Sequence, residues 1–197
     1  MAEPKCQYWD FSTLLLKKAL DKYVRNGQTL LEIGAGHLAI LSIYIAKKRK
    51  VDITAVDINP IFVQNARKTA LKNNVKINII QSNLFEEINN IYDCIFFNPP
   101  YVPTNWMIQN HKEKILDSIF DLIWNGGVDG CVTIQNFLKK LNKVAQEDSI
   151  ALLGVNSLFI SVKKVSHLIQ ECGFSLKEVI SSSWNPSRVY VIQMEAA

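Results

Sequence analysis

From Thr29 onward the chain alternates between short runs of consecutive apolar residues and longer stretches in which apolar residues recur every three or four positions. The short runs predict strands at TLLEI (Thr29 to Ile33), VDITAV (Val51 to Val56), INII (Ile77 to Ile80), DCIFF (Asp93 to Phe97) and SIALLGV (Ser149 to Val155), then LKEVIS (Leu176 to Ser181) and RVYVIQM (Arg188 to Met194). The periodic stretches predict helices at HLAILSIYIAKK, PIFVQNARKTALKN, VTIQNFLKKLNKVA and ISVKKVSHLIQEC, the last stopped by Gly173. Ahead of all these, FSTLLLKKALDKYV (Phe11 to Val24) reads as an amphipathic helix closed by Asn26-Gly27.

Strands that alternate with helices predict an α/β fold, with a seven-stranded, mostly parallel sheet covered by helices on both faces. Only SSWNPS separates the last two strands, too little for a crossover helix. They must form a hairpin, which sets one strand antiparallel to the rest. Neither repeats nor a linker-like tract divides the sequence, so residues 1–197 are expected to form one domain, with 1–27 as a helical extension packed on the sheet.

Composition narrows the class without naming a function. The chain has 197 residues, 48% hydrophobic and 20% charged, in the range of ordinary globular proteins. Charges interrupt every apolar run before the roughly 20 residues needed to span a bilayer, and MAEPKCQYWD lacks the basic-then-apolar pattern of a signal peptide. A cytoplasmic location away from the membrane is expected. Cys6, Cys94, Cys131 and Cys172 are scattered and the three histidines do not cluster with them, so neither a metal site nor a disulfide frame is expected. The net charge of +4 neither demands nor excludes a nucleic-acid partner. The densest basic run, Lys47-Lys48-Arg49-Lys50, closes a predicted helix, where it suits the macrodipole and falls at the sheet edge opposite the usual ligand crevice.

Chemistry enters at EIGAGHLA, Glu32 to Ala39, between the first strand and its helix. Gly34, Gly36 and Ala39 fit G-x-G-x-x-A, and Asp57 ends the next strand roughly 20 residues on, where a ribose hydroxyl pair would be held. Two nucleoside cofactors compete for such a loop. Glu32 discriminates between them: a carboxylate at the mouth would repel a dinucleotide's pyrophosphate, whereas the sulfonium and ammonium of S-adenosylmethionine would be favoured by it. Just past the third strand, Asn83 of QSNLFEEI stands within reach of an adenine amino group.

The fourth strand runs directly into Asn98-Pro99-Pro100-Tyr101. That strand lies beside the first, across the topological switch point, so the tetrapeptide is expected to face the methyl donor. An amide or exocyclic NH2 is a poor nucleophile because its lone pair is delocalised. The Asn98 side-chain oxygen and the Pro99 carbonyl would grip its two hydrogens and stabilise the charge growing on nitrogen. Pro100 keeps the loop stiff, and the Tyr101 ring offers a plane for stacking. In-line transfer of methyl to nitrogen then needs no catalytic histidine.

In order and spacing, GAGHLAI, AVDINP, INIIQSNLFEEI and YDCIFFNPPY resemble the class I S-adenosylmethionine-dependent methyltransferases with an NPPY signature, above all those that methylate glutamine N5 in translation release factors. The resemblance spans Leu30 to Tyr101, and more faintly IWNGGVDGCVTIQNFL. It implies a Rossmann-like class I fold and S-adenosyl-L-methionine as cofactor. Cofactor contact is implied at Glu32, Gly34, Gly36, Asp57 and Asn83, with Ala35, Ile58 and Leu84 as their neighbours in the site. Binding of the substrate amide is implied at Asn98, Pro99 and Tyr101. Leu38 stands where that family often has a third glycine, and Asn83 where it usually has aspartate. The short form, without the N-terminal helical domain of the bacterial enzymes, is similar to archaeal and eukaryotic relatives, some of which work with a small activating subunit. An upstream D-S/T-x-x-L segment is matched only in part by QYWDFSTLLL, which leaves roles for Asp10 and Thr13 open.

The expected acceptor is a glutamine or similar amide of a protein or peptide. Methylation of an RNA or DNA base amino group is the alternative, for which only scattered lysines such as Lys112 and Lys114 offer a basic surface. A partner subunit that has lost catalysis is a third reading, opposed by the intact NPPY. Specificity is expected from Val102 to Gly130 and from the turn around Trp184. Trp106, Met107, Trp124 and Trp184 read first as packing residues.

Overall fold

The computed structural model describes residues 11–110 and 118–194. Cys6, Asp10, Lys112 and Lys114, and residues 1–10 of the expected extension, lie outside the described residues.

Seven strands form one sheet: β1 (Thr29–Ile33), β2 (Asp52–Asp57), β3 (Asn78–Gln81), β4 (Tyr92–Phe97), β5 (Ala145–Asn156), β6 (Ser175–Ser181) and β7 (Ser187–Gln193). Their spatial order is β3-β2-β1-β4-β5-β7-β6. All pairs are parallel except those of β7 with β5 and β6, as a terminal hairpin requires. The first crossovers lead outward from β1 to β3, and the chain then returns to place β4 on the other side of β1. A crevice therefore opens between the carboxyl ends of β1 and β4, at the switch point.

Alternation along each strand divides the core. On one face Leu30, Ile53, Cys94, Phe96, Leu152 and Val191 meet α1 (Phe11–Tyr23) and α2 (Ile40–Lys48). Farther along the same face, α3 (Pro60–Lys72) packs Val63, Ala66 and Ala70 on Ala55 and Ile79. On the other face Leu31, Ile33, Ile95, Phe97, Leu153 and Tyr190 meet α6 (Val132–Lys140) and α7 (Val162–Glu171). From α1, Leu15, Leu16, Ala19 and Leu20 are buried, and each leucine contributes about 1.5–3 kcal/mol of transfer free energy. That burial fixes the expected N-terminal helix over β5 and β7.

Three differences from the sequence reading have local causes. Helix α2 begins at Ile40 rather than His37 because Ala39 adopts a left-handed conformation, φ 45°, which no α-helix continues through. Helix α6 stops at Lys140 and passes into a 3₁₀ turn, Leu141–Lys143, whose buried Leu141 prolongs the apolar period beyond the helix. Strand β5 starts at Ala145, ahead of Ser149, through a mainly exposed stretch whose register shifts against β4. Two short helices absent from the sequence reading, α4 (Thr104–Asn110) and α5 (Ser118–Trp124), follow β4 and carry Met107 and Phe120 into the core.

The basic run ends α2 at the amino edge of the sheet, where Lys48 pairs with Asp21 at 2.7 Å and Lys47 donates to Asn73. Among the described residues no helix is long and apolar enough to cross a membrane, and no cluster of histidine, cysteine or carboxylate side chains could hold a metal ion.

Candidate active site

A cavity of about 580 Å³ occupies the switch-point crevice. Its walls include Glu32, Gly34, Ala35, Gly36, Asp57, Ile58, Asn83 and Leu84, together with Asn98, Pro99, Pro100 and Tyr101. Every residue singled out from the sequence for cofactor or acceptor is thus brought to one space. Asp121 and Trp124 of α5 and the following Asn125, which fall in the Val102 to Gly130 segment expected to set specificity, add to the wall, together with Thr133 and Asn136 of α6, which the sequence did not single out. Thr133 and Asn136 carry no motif, and only the fold brings them to the cavity.

The glycine turn is set by backbone geometry. Both Gly34 and Gly36 have positive φ, 63° and 64°, a region that glycine enters without strain. A Cβ on Gly34 would stand 3.1 Å from the Phe97 ring, so this glycine lets the turn settle on β4. Around Gly36 no atom lies within 4 Å of the same position. The main chain at Gly36 is therefore open to a ligand at close range.

Asp57 ties the turn to its neighbours. Its Oδ2 accepts from Gly36 N at 2.8 Å, its Oδ1 accepts from Asn59 N at 2.9 Å, and its carbonyl accepts from Ser82 N at 3.0 Å. Burial pushes the Asp57 carboxyl up from its usual range, and the amides of Asn59 and Gly36 oppose that shift. A carboxylate has about four acceptor positions, so roughly two remain for a ribose hydroxyl pair. Beyond β3, Ser82 Oγ accepts from Glu87 N and donates to the Leu84 carbonyl, while Asn83 Nδ2 donates to Glu86 at 3.0 Å. With its nitrogen engaged, Asn83 has its oxygen to offer to an amino group.

Glu32 departs from the expected exposed lip. It lies on the α2 side of β1 at 4% exposure, where its Oε2 accepts from the Ser42 backbone N–H at 3.2 Å and from the Ser42 hydroxyl. Burial raises its pKa to about 8, the Ser42 bonds pull it down, and the nearby Asp57 charge adds to the rise. Without a ligand the group is mainly a neutral acid near neutral pH. An arriving cation therefore draws the charge out of Glu32 instead of meeting the permanent one that the sequence had suggested.

The NPPY corner is clamped from the far wall. Val102 N donates to the Trp124 carbonyl, Gly126 N to the Val102 carbonyl and Thr104 N to the Gly127 carbonyl, each at 2.9 Å. A Cβ on Gly130 would sit 2.4 Å from the Tyr101 carbonyl oxygen, and one on Gly126 2.7 Å from Tyr101 Cα. Gly126 and Gly130 of IWNGGVDG are thus explained by the close approach of two main chains, which holds the corner still, and Gly127 by its positive φ of 89° and by Val132, whose side chain would stand 2.4 Å from a Cβ there. Asn98 is half-buried at the cavity wall, with its Oδ1 buried and without a hydrogen-bond partner. Tyr101 differs from expectation: it is 2% exposed, its ring tilts against Phe159 at 6.0 Å and its hydroxyl lies 3.3 Å from Ser12 Oγ. In this conformation the ring supports the corner and has no open face for stacking. Of the large apolar groups noted in the sequence, Met107 is core, Trp124 lines the cavity, and Trp184 stands 69% exposed with Phe11 edge-on at 5.0 Å.

A nucleoside-sized crevice, a bare glycine turn, a strand-end carboxylate beside it and a rigid amide corner opposite are together the arrangement of an S-adenosylmethionine-dependent methyltransferase. The model of the methyltransferase small domain family matches residues 6–147, and the chain belongs to that family. It is similar to a chain of Methanocaldococcus jannaschii that carries the provisional name protein N5-glutamine methyltransferase, with 34% identity over 166 residues covering 84% of this chain and 79% of the relative. Among solved structures, a methyltransferase from Pyrococcus furiosus superposes with a TM-score of 0.73 at 18% identity, covering 100% of this chain and 88% of that one. The 16S rRNA N2 G1207 methyltransferase of T. thermophilus, in complex with AdoMet and guanosine, gives 0.67 at 19% identity, covering 98% of this chain and 45% of that one. These two likenesses establish the Rossmann-like methyltransferase fold. The chain is accordingly an enzyme that uses S-adenosyl-L-methionine.

Proposed function

We propose that the enzyme methylates the nitrogen of a planar amide or amino group, and that its acceptor is the side-chain amide of a glutamine, or a similar amide, in a protein or peptide. The observation that carries this reading is the amide corner at the cavity wall: Asn98, Pro99 and Pro100 line the cavity, and the residues that follow are held still by the main-chain bonds of Val102, Thr104 and Gly126. The provisional name of the M. jannaschii relative supports the choice of amide.

S-adenosylmethionine supplies an electrophilic methyl on sulfonium: the new N–C bond forms with the nitrogen's electron pair while the S–C pair leaves with sulfur. The protein's part is placement and charge. Gly36 and Asp57 hold the nucleoside end, and Asn83 and Leu84 border the base. Glu32 takes up negative charge as the cations arrive. With the Asn98 side-chain amide turned toward the cavity, its Oδ1 and the Pro99 carbonyl accept from the attacking NH2, so positive charge growing on nitrogen meets two dipoles. The proton then leaves to solvent.

An exocyclic amino group on a nucleic-acid base is the second reading, since the same corner would grip it and the fold is shared with an enzyme of rRNA. It ranks lower because phosphate contacts supply most nucleic-acid affinity, and among the described residues no lysine or arginine lines the cavity. Incubating the enzyme with S-adenosylmethionine labelled in the methyl group and a cell extract separates the two. Protease is expected to remove the macromolecular label and nuclease to leave it; label removed by nuclease alone contradicts the amide reading.

A further inference from the structure

The rim beside the amide corner carries exposed apolar groups. Phe11 and Trp184, 47% and 69% exposed, meet edge-on at 5.0 Å, Leu158 is 75% exposed, and Trp106, 39% exposed, stands edge-on to Phe159 at 5.0 Å. Both aromatic pairs adjoin Tyr101: Ser12, next to Phe11, lies 3.3 Å from its hydroxyl, and Phe159 packs on its ring at 6.0 Å. Topology explains the gathering. Strand β5 runs parallel to β4 and β7 antiparallel to β5, so the ends of β4 and β5 share one sheet edge with the β6–β7 turn, where Ser157 N donates to the Pro186 carbonyl at 2.9 Å.

Charge is missing from the same edge. Runs 98–110, 122–128, 154–162 and 179–187 contain no Asp, Glu, Lys or Arg, in a chain of which 20% is charged. Most charges that flank them are engaged: Asp121 accepts from Asn125, Asp129 pairs with Lys164 and Glu178 with Lys22, and Arg188 folds back onto the carbonyls of Asn185 and Ser187. Exposed apolar side chains scattered singly are ordinary, but two tryptophans, a phenylalanine and a leucine grouped on a neutral edge mark a contact surface.

We propose that this rim docks the polypeptide around the acceptor amide, an uncharged segment bearing apolar side chains, with Trp184 as its principal anchor. The proposal rests on the amide reading above. An acceptor that reaches Asn98 and Pro99 lays its neighbouring residues on the adjoining rim. A charged peptide or a phosphate backbone would lose water there and find no opposite charge, whereas a neutral segment gains the burial of Trp184 and Leu158.

Short synthetic peptides test it, each with one central glutamine, flanked in the first by alanine, serine and leucine, in the second by lysine and in the third by glutamate. Wild-type kcat/KM should favour the neutral peptide by about tenfold and stay level from about 50 to about 300 mM salt. Trp184→Ser and Leu158→Ser, both at exposed side chains, should raise KM for that peptide, Trp184→Ser by about tenfold, with kcat, cofactor affinity and melting temperature unchanged. A KM unmoved in both variants, or a preference for a charged peptide, overturns the dock. So does a dimer in sedimentation that Trp184→Ser dissociates, which would give the rim to a second copy of the chain. If no peptide is methylated the dock falls, and the extract assay decides whether the amide reading falls with it: a protease-sensitive label keeps that reading and a nuclease-sensitive one removes it.

Discussion

Asn98→Ala is expected to lower methyl transfer by about two to three powers of ten, the scale seen when one preorganised partner of a developing charge is removed. Affinity for S-adenosylmethionine should stay close to wild type, because Gly36, Asp57, Asn83 and Leu84 sit on the other side of the cavity and are held by their own backbone bonds. The melting temperature should not fall with the activity. Asn98 Oδ1 is buried without a partner, so the truncation removes an unsatisfied acceptor as well as a long hydrogen bond to Thr13. The combination of intact folding, intact cofactor binding by calorimetry and lost turnover separates a reacting group from a structural one. A variant that keeps full turnover refutes the assigned role.

Glu32→Gln should weaken cofactor binding by about ten- to a hundredfold at pH 8 and abolish most of its pH dependence, since an ion pair a few ångströms long in a partly screened site is worth a few kcal/mol. In the wild type, burial holds the carboxyl at about 8, so binding a cation near neutral pH must release a proton. Affinity should accordingly rise as pH rises toward 8, and the heat of binding should vary with the ionisation enthalpy of the buffer. The ligand-free stability runs the other way. A carboxyl whose folded pKa lies above its unfolded value of 4.5 contributes stability in full below that value and loses it as pH climbs to about 8. The melting temperature of the free enzyme should thus fall across that window, and Glu32→Gln should flatten the fall. Asp57, shifted in the same direction by burial, leaves a residual slope. A free enzyme whose melting temperature holds level from pH 5 to pH 8 would contradict the neutral-acid state of Glu32.

The strands were legible because apolar runs in a doubly covered sheet are nearly continuous, and the hairpin because six residues cannot cross a sheet. Helices α4 and α5 escaped notice because their described parts, Thr104–Asn110 and Ser118–Trp124, show about two turns each, too few to display a period. The start of β5 escaped for a related reason: Gln146, Glu147 and Asp148 are exposed and polar, and they fall within the register shift between the Tyr92–Ala145 and Cys94–Ile150 pairs. At the site, the residues were visible where identity and order carry the chemistry, as with Gly34, Gly36, Asp57 and Asn98. What they do depends on packing, which a linear sequence does not display. The neutral state of Glu32 comes from Ser42 on the neighbouring helix, the covered ring of Tyr101 from Phe159 and Ser12, and the grip on Asn98 from a helix 85 residues away. The glycines of IWNGGVDG are the middle case. Their pattern was noticed, but only the approach of Gly126 and Gly130 to Tyr101, and of Gly127 to Val132, gives the reason for it.

The central claim is that the methyl donor lies between the glycine turn and the amide corner. Its most direct test is a crystal structure with S-adenosylhomocysteine bound. The ribose is expected on Asp57, the base beside Asn83 and Leu84, and the sulfur facing Asn98 across a gap that lets a methyl and an attacking nitrogen stand about 3–3.5 Å apart. A nucleoside bound away from Gly36, or a sulfur turned from the Asn98 side of the cavity, would contradict it.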